Sequence, residues 1–179
     1  RLYYNTQVFG NAAFTFHILP GLDLKTQLGI DWHAEESRRY ASRELNNISQ
    51  TEQGVAANGR HNNLYWQEET YLTYNRTLNG LHRVNAMLGM SWQGYASRYN
   101  YSEAQSFESD FFEDLNMGTG KNPRPPGSNY DEWKMNSYFL RLAYTYNDRY
   151  LATFTARSDG SSKFGENNKY AFFPSAGLA

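Results

Sequence analysis

Four histidines, His17, His33, His61 and His82, are the side chains best suited to proton transfer near neutral pH in this 179-residue sequence. They are scattered, and no Gly-x-Ser-x-Gly run accompanies them. His33 and Ser91 fall on polar faces near one rim, but on strands that are not neighbours, so a nucleophile–base pair is not expected there. No cysteine is present, which removes thiolate chemistry, a disulfide framework and cysteine metal sites. Glu108, Asp110, Glu113 and Asp114 lack the ordered ligand spacing and glycine turn of a calcium loop, and read as a solvated acidic loop. No metal, cofactor or enzyme activity is expected. The chemistry left is contact. The segment SRYNYSEAQSFESDFFEDLNMGTG sets Tyr99, Tyr101, Phe107, Phe111 and Phe112 among acids, and such rings stack on sugars or pack against a partner.

The elements that hold these residues are strands. In HRVNAMLGMSWQGYAS, Val84, Ala86, Leu88, Met90, Trp92 and Gly94 share one face, opposite Arg83, Asn85, Gly89, Ser91 and Gln93, with Met87 the exception. LDLKTQLGIDWHAE sets Leu22, Leu24, Thr26, Leu28, Ile30, Trp32 and Ala34 against Asp23, Lys25, Gln27, Asp31, His33 and Glu35. NAAFTFHIL, KMNSYFLRLAYTYN and YLATFTAR alternate likewise, whereas the stripe of NLYWQEETYLTYNRTL is interrupted by Glu68 and Arg76. Short turns at PGLD, NG and ND alternate with long polar segments at about 39–62, 99–132 and 159–169, the pattern of an up-and-down meander.

Each alternation persists for roughly a dozen residues, twice the usual soluble strand. Ten residues separate Leu22 from Trp32, and ten separate His82 from Trp92. At about 3.3 Å each and a tilt of about 40°, ten residues rise roughly 25 Å, the height of an outer-membrane apolar band. Trp32 and Trp92 then mark one lipid interface, and Tyr74, Tyr144, Tyr146 and Tyr150 the other. Between Leu22 and Trp32, and between Val84 and Trp92, the apolar stripe carries no charge. Mean hydropathy of −0.78 fits, because averaging over two unlike faces hides the apolar one. Lys and Arg number 17 against 18 Asp and Glu, so no field favours nucleic acid. The expected fold is all-β: about seven strands of a large antiparallel transmembrane β-barrel, residues 1–179 forming a partial barrel domain. Seven is odd and bacterial barrels close on even counts, so more strands are expected. The competing architecture is a soluble β-sandwich.

The C-terminal run NDRYLATFTARSDGSSKFGENNKYAFFPSAGLA closely resembles a segment of the SusC/RagA family, the TonB-dependent outer-membrane transporters of Bacteroidetes. The residues that carry the likeness include Arg157, Asp159, Gly160, Ser161, Ser162, Phe164, Gly165, Phe173, Pro174 and Ser175, with Ala152 and Tyr170 as small departures. Upstream, FHILPGLDLKTQLGIDW, ETYLTYNRTLNGLHRVNAMLGMSWQ and SYFLRLAYTYNDRYL resemble successive family strands in order. The resemblance implies a bacterial outer-membrane location and import of a glycan or peptide. It also implies a SusD-like surface lipoprotein as lid, TonB acting through a plug domain, and outer-membrane lipid around the wall. No plug domain or TonB box is found in the sequence. SDGSSKFGENNKY is expected to be a compact external loop, with Arg157 and Asp159 paired on the lumen side and the motif mainly architectural. A passive pore or adhesin barrel, or a soluble binding module, are the alternatives.

Overall fold

The computed structural model describes residues 1–45, 52–165 and 168–179. Alternation of apolar and polar side chains becomes strand nearly everywhere: β1 (Leu2–Leu19), β2 (Leu22–Ala41), β3 (Val55–Leu78), β4 (His82–Phe107), β5 (Gly120–Pro123), β6 (Gly127–Tyr146), β7 (Tyr150–Ser161) and β8 (Tyr170–Leu178). They form one sheet in the order β1-β2-β3-β4-β6-β7-β8, with the short β5 paired to the end of β4. The seven long strands are the seven expected from the sequence.

Their extents differ from expectation. β4 runs 26 residues and β3 runs 24, so much of the polar stretches expected as loops at 39–62 and 99–132 is strand. A backbone ladder needs only paired N–H and C=O groups; where both faces meet water, polar side chains on both faces cost nothing and the apolar alternation disappears. Residues 46–51 of the first stretch and 166–167 of the last lie outside the described residues.

The three short connections are as tight as their sequences demand. Asn79 and Gly80 both have positive φ (51° and 67°), as do Asn147 and Asp148 (50° and 49°), the backbone of type I′ turns that follow the sheet's twist. Gly21 has φ 83°, and its carbonyl accepts from the Asn75 amide at 2.7 Å.

The chain divides into two compact units. One comprises Arg1–Val8, Asp31–Leu64 and Ala96–Glu132. It holds the small buried core, Ala56, Ala104 and Phe107, against which Tyr40 and Met117 pack. The other comprises Phe9–Ile30, Tyr65–Tyr95 and Trp133–Ala179. Its large apolar side chains are exposed: Phe16 at 57%, Leu88 at 60%, Phe172 at 65% and Leu178 at 89%. A sandwich would cover that face with a second sheet, and the described residues form only one. A continuous apolar face of this kind is stable only against an apolar solvent, which for strands of this length is lipid.

Candidate functional site

The polar face of the second unit carries a groove lined by hydrogen-bonding side chains. Gln67, Glu69, Ser91, Gln93, Arg141 and Arg157 line this groove of about 490 Å³, with Phe139 and Met87 among them. Tyr65 Oη donates to Gln93 at 2.8 Å, and both Tyr65 and Tyr95 lie 6.2 Å from the ring of Trp133. Lys25 Nζ sits 5.8 Å from the Tyr71 ring. Arg157 and Asp159 pair as expected: the Arg157 Nε donates to both carboxylate oxygens at 2.7 and 2.9 Å, and its Nη2 donates to the buried Ser137 Oγ at 3.2 Å. Amides, hydroxyls and paired charges of this kind make a hydrogen-bonding wall.

One pair escaped the sequence reading. His61 Nε2 and Ser97 Oγ stand 3.0 Å apart on β3 and β4, with Tyr99 edge-on to the imidazole at 6.1 Å. Only the register of two adjacent strands brings them together, because 36 residues separate them in sequence. Among the described residues no carboxylate is bonded to the other ring nitrogen, so the pair lacks the orienting group that activates a serine.

The five aromatic contact candidates separate. Tyr99 and Tyr101 are on β4, at odd positions like Ser91, Gln93 and Tyr95, and not in a loop. The Tyr101 hydroxyl donates to Glu103, which holds it protonated above its ordinary range; Glu103 also takes Arg124 Nε at 2.9 Å. Tyr101 borders a groove of about 630 Å³ with Glu36, Asn58, Arg60 and Asn100. Phe107 is a correction: only 3% exposed, it is core, because positive φ at Ser106 (63°) turns the chain and folds its ring onto Ala56, Ala104 and Tyr40. Phe111 and Phe112 pack edge to face at 4.9 Å, and Phe111 (81%) and Leu115 (75%) are exposed.

The acids around those rings fasten the segment to the sheet. Asp110 accepts from the Tyr40 hydroxyl and from Ser42 at 2.9 Å, with Arg43 at 3.5 Å. Asp114 takes Arg38 Nε at 2.5 Å, and Glu108 takes Lys121 at 2.8 Å. The Tyr40 bond, chief among several, holds the Asp110 carboxyl below the usual carboxylate range, while burial and then Asp110 push the Tyr40 phenol far above its own. These carboxylates are committed to protein donors.

The six aromatics expected at the lipid interfaces are divided between the two units, Trp32 in the first and the other five in the second. At the turn end, Tyr146 and Tyr150 stack at 6.5 Å, and His82 Nδ1 is 2.7 Å from the Tyr144 hydroxyl. Tyr74 is half-buried on β3, and Trp32 on β2 borders a groove with Tyr4, Thr6 and Ala34. Trp92 has a neighbour not assigned to that set, Trp66, which lies against Gly94: a Cβ there would stand 2.7 Å from the indole Nε1. Glu68 hid it by breaking the β3 stripe. That carboxylate sits on the apolar face held by Thr26 at 3.2 Å and Thr70 at 2.5 Å, its Oε2 buried without a hydrogen-bond partner.

The C-terminal motif is largely ladder and turn. β7 and β8 pair Thr155 with Ser175, Ala156 with Pro174, Arg157 with Phe173 and Gly160 with Tyr170. Ser161 N–H donates to Lys169 O at 3.0 Å and Phe164 N–H to Ser161 O at 3.2 Å, closing the hairpin, and Gly165 is exposed.

No protein-family model matches the chain. Over 95% of its length it is 32% identical to the TonB-dependent receptor P39 of Formosa agariphila, and over 92% it is 28% identical to the TonB-dependent receptor SusC of Bacteroides thetaiotaomicron. A solved structure of the RagAB peptide transporter superposes on 98% of the chain with a TM-score of 0.88 at 22% identity, a likeness of fold. The chain spans about one sixth of the two receptors, 17% and 16%, and 20% of the solved chain. These relatives bear the names of receptors and transporters, not of enzymes. With the C-terminal motif and a one-layer sheet whose apolar face is bare, they place the chain in the outer membrane as part of a β-barrel of the SusC/RagA family of TonB-dependent proteins.

Proposed function

We propose that the complete protein imports an oligosaccharide or a peptide across the outer membrane, driven by TonB through a plug domain, with a SusD-like surface lipoprotein closing over its external side. Residues 1–179 are part of its barrel domain. The observation that carries this reading is the likeness of the chain to SusC, 28% identical along 92% of this chain's length. The hydrogen-bonding groove around Gln67, Glu69 and Arg141 supports a lumen that passes a polar solute. Tyr99 and Tyr101 are the residues to touch that solute, and Phe111, Phe112 and Leu115 are an apolar knob for the lid, since exposed apolar clusters on rigidly anchored segments are interface anchors. Trp32 and Trp92, with Tyr74, Tyr144, Tyr146 and Tyr150, form the interface girdles against outer-membrane lipid.

The test uses the full-length protein tagged in its own outer membrane. The 20.7 kDa chain at 17% of a relative's length sets an expected mass on the order of 100 kDa. A surface lipoprotein should copurify, and changing Phe111 and Phe112 together to Ala should lower its recovery. Uptake that persists without TonB would favour a passive pore, and unchanged recovery of the lipoprotein would remove the lid role of the knob.

A further inference from the structure

The outward, lipid-exposed face of β6, β7 and β8 carries a groove of about 310 Å³ unlike the rest of the apolar band. Trp66 and Trp92 flank it on one side, Tyr170 on the other, and Lys134 and Lys169 both line it. The two lysines are brought there by consecutive residues, Ser161 at the end of β7 and Ser162 just beyond it. Ser161 N–H donates to Lys169 O at 3.0 Å; Ser162 N–H donates to Lys134 O at 2.9 Å, and Lys134 N–H returns the bond to Ser162 Oγ at 2.9 Å. Both lysine side chains belong to exposed residues. Below them Asn136 Nδ2 donates to the Tyr170 hydroxyl at 3.0 Å. That bond spans Gly160, where a Cβ would stand 2.5 Å from Tyr170 and 2.6 Å from Asn136, so glycine is required for the bridge to close.

A furrow continues from the bridge down the apolar face. The register aligns Tyr138, Ser158 and Phe172 in one row and Leu140, Ala156 and Pro174 in the next. In both rows the β7 residue is smaller than either neighbour, Ser158 between Tyr138 and Phe172 and Ala156 between Leu140 and Pro174. Phe154 ends the furrow, set between Leu142 and Ala176. From Gly160 to Phe154 the strand advances roughly 20 Å at about 3.3 Å per residue, and the flanking strands stand roughly 10 Å apart, dimensions that accept an extended acyl chain. From Ala152, near the turn end, to Ser162 is ten residues, a rise of roughly 25 Å in a tilted strand, so the lysines stand at headgroup level when the furrow is in hydrocarbon.

We propose that this groove is a specific site for a phosphate-bearing lipid of the outer leaflet: its phosphate between Lys134 and Lys169, its polar linkage on the Asn136–Tyr170 bridge, and one acyl chain along Ser158 and Ala156. Two ammonium groups above an apolar furrow match one amphiphile, an anion joined to a hydrocarbon tail. Trp66 and Trp92 bound the headgroup laterally, as amphipathic rings do at an interface. The site is independent of what the transporter carries.

The full-length protein in phosphatidylcholine nanodiscs is the sample, with diphosphoryl lipid A and its dephosphorylated form as probes and inorganic phosphate as competitor. Wild-type protein should retain diphosphoryl lipid A over the dephosphorylated lipid. K134Q/K169Q should weaken retention roughly 30-fold, at about tenfold or less per lysine. K134R/K169R should keep it, which separates charge from folding, and S158F should lose it with both lysines intact by filling the furrow. Equal retention by wild type and K134Q/K169Q, or equal binding of the two lipids, overturns the proposal. Displacement by millimolar inorganic phosphate with S158F unaffected would show a free-anion site, and cross-linking of this face to a protein chain would show a protein interface; either also overturns it. Should K134Q/K169Q fail to assemble, K134R/K169R and S158F decide.

Discussion

The Nε of Arg157 donates to both carboxylate oxygens of Asp159, two residues along the same face of β7, while its Nη2 reaches the buried hydroxyl of Ser137 on β6. One guanidinium thus ties two strands together from the wet side of the wall. Arg157 is about half exposed, 49%, so solvent screens much of the ion pair. Changing Arg157 to Met should lower barrel stability by about 1 kcal/mol, mostly from stranding Ser137, with S137A recovering part of the loss. Urea titration of the full-length protein measures it; additive losses in R157M and S137A would show that the two residues are not coupled.

Trp66 and Gly94 form a packed pair on the opposite face, with no room for a Cβ beneath the indole. Changing Gly94 to Ala should cost about 1–3 kcal/mol through overpacking, and the same change beside Trp66→Ala should cost much less. A double-mutant cycle on barrel unfolding reads the coupling. A cost that survives removal of the indole would have to come from the backbone instead.

At Gly80 the balance is reversed. A Cβ there meets nothing within 4 Å, yet φ is 67°, so any penalty is conformational. Gly80→Val should cost about 1–2 kcal/mol and slow assembly, whereas Gly80→Asn should be nearly neutral, because Asn tolerates the left-handed region. Heat-modifiable migration on gels gives the assembled fraction. Equal behaviour of Val and Asn at this position contradicts a backbone origin.

The Tyr40–Asp110 bond makes the anchoring of residues 108–119 depend on pH. Asp110 is depressed when folded, so its contribution is present above the unfolded value near 3.9 and is lost as pH falls through the lower folded value. Tyr40 is raised, so its contribution is complete below the unfolded value near 10 and is lost as pH rises beyond it. Amide exchange in the segment should be slow between these limits and faster outside them. Tyr40→Phe should accelerate exchange at pH 7 and shift the acid limb upward; an unchanged limb would mean that another donor sets the Asp110 carboxyl.

Glu68 predicts a gain. Its carboxylate costs desolvation on the apolar face, and once it is gone the one Thr70 hydroxyl proton is released to Thr26 Oγ1, 2.7 Å away. Glu68→Leu should therefore leave stability unchanged or raise it by up to about 1 kcal/mol in the same urea titration. A clear loss would assign the carboxylate a partner that only the membrane or another chain supplies.

The sequence by itself determined the seven long strands, the three tight turns and which face of most strands is apolar. These are properties of neighbours along the chain: a pleat puts i and i+2 on one face, and Asn-Gly prefers a left-handed turn wherever it occurs. Arg157 with Asp159 was legible for the same reason, being i and i+2 on one strand. Only the tertiary structure decided what depends on register between strands. His61 meets Ser97, Trp66 covers Gly94, Lys134 and Lys169 line one groove, and Phe107 enters the core through one turned residue at Ser106. It also decided how far the strands run into polar sequence. A ladder between wet faces is held by backbone hydrogen bonds, which every non-proline residue supplies alike, so side-chain alternation carries no record of where it ends.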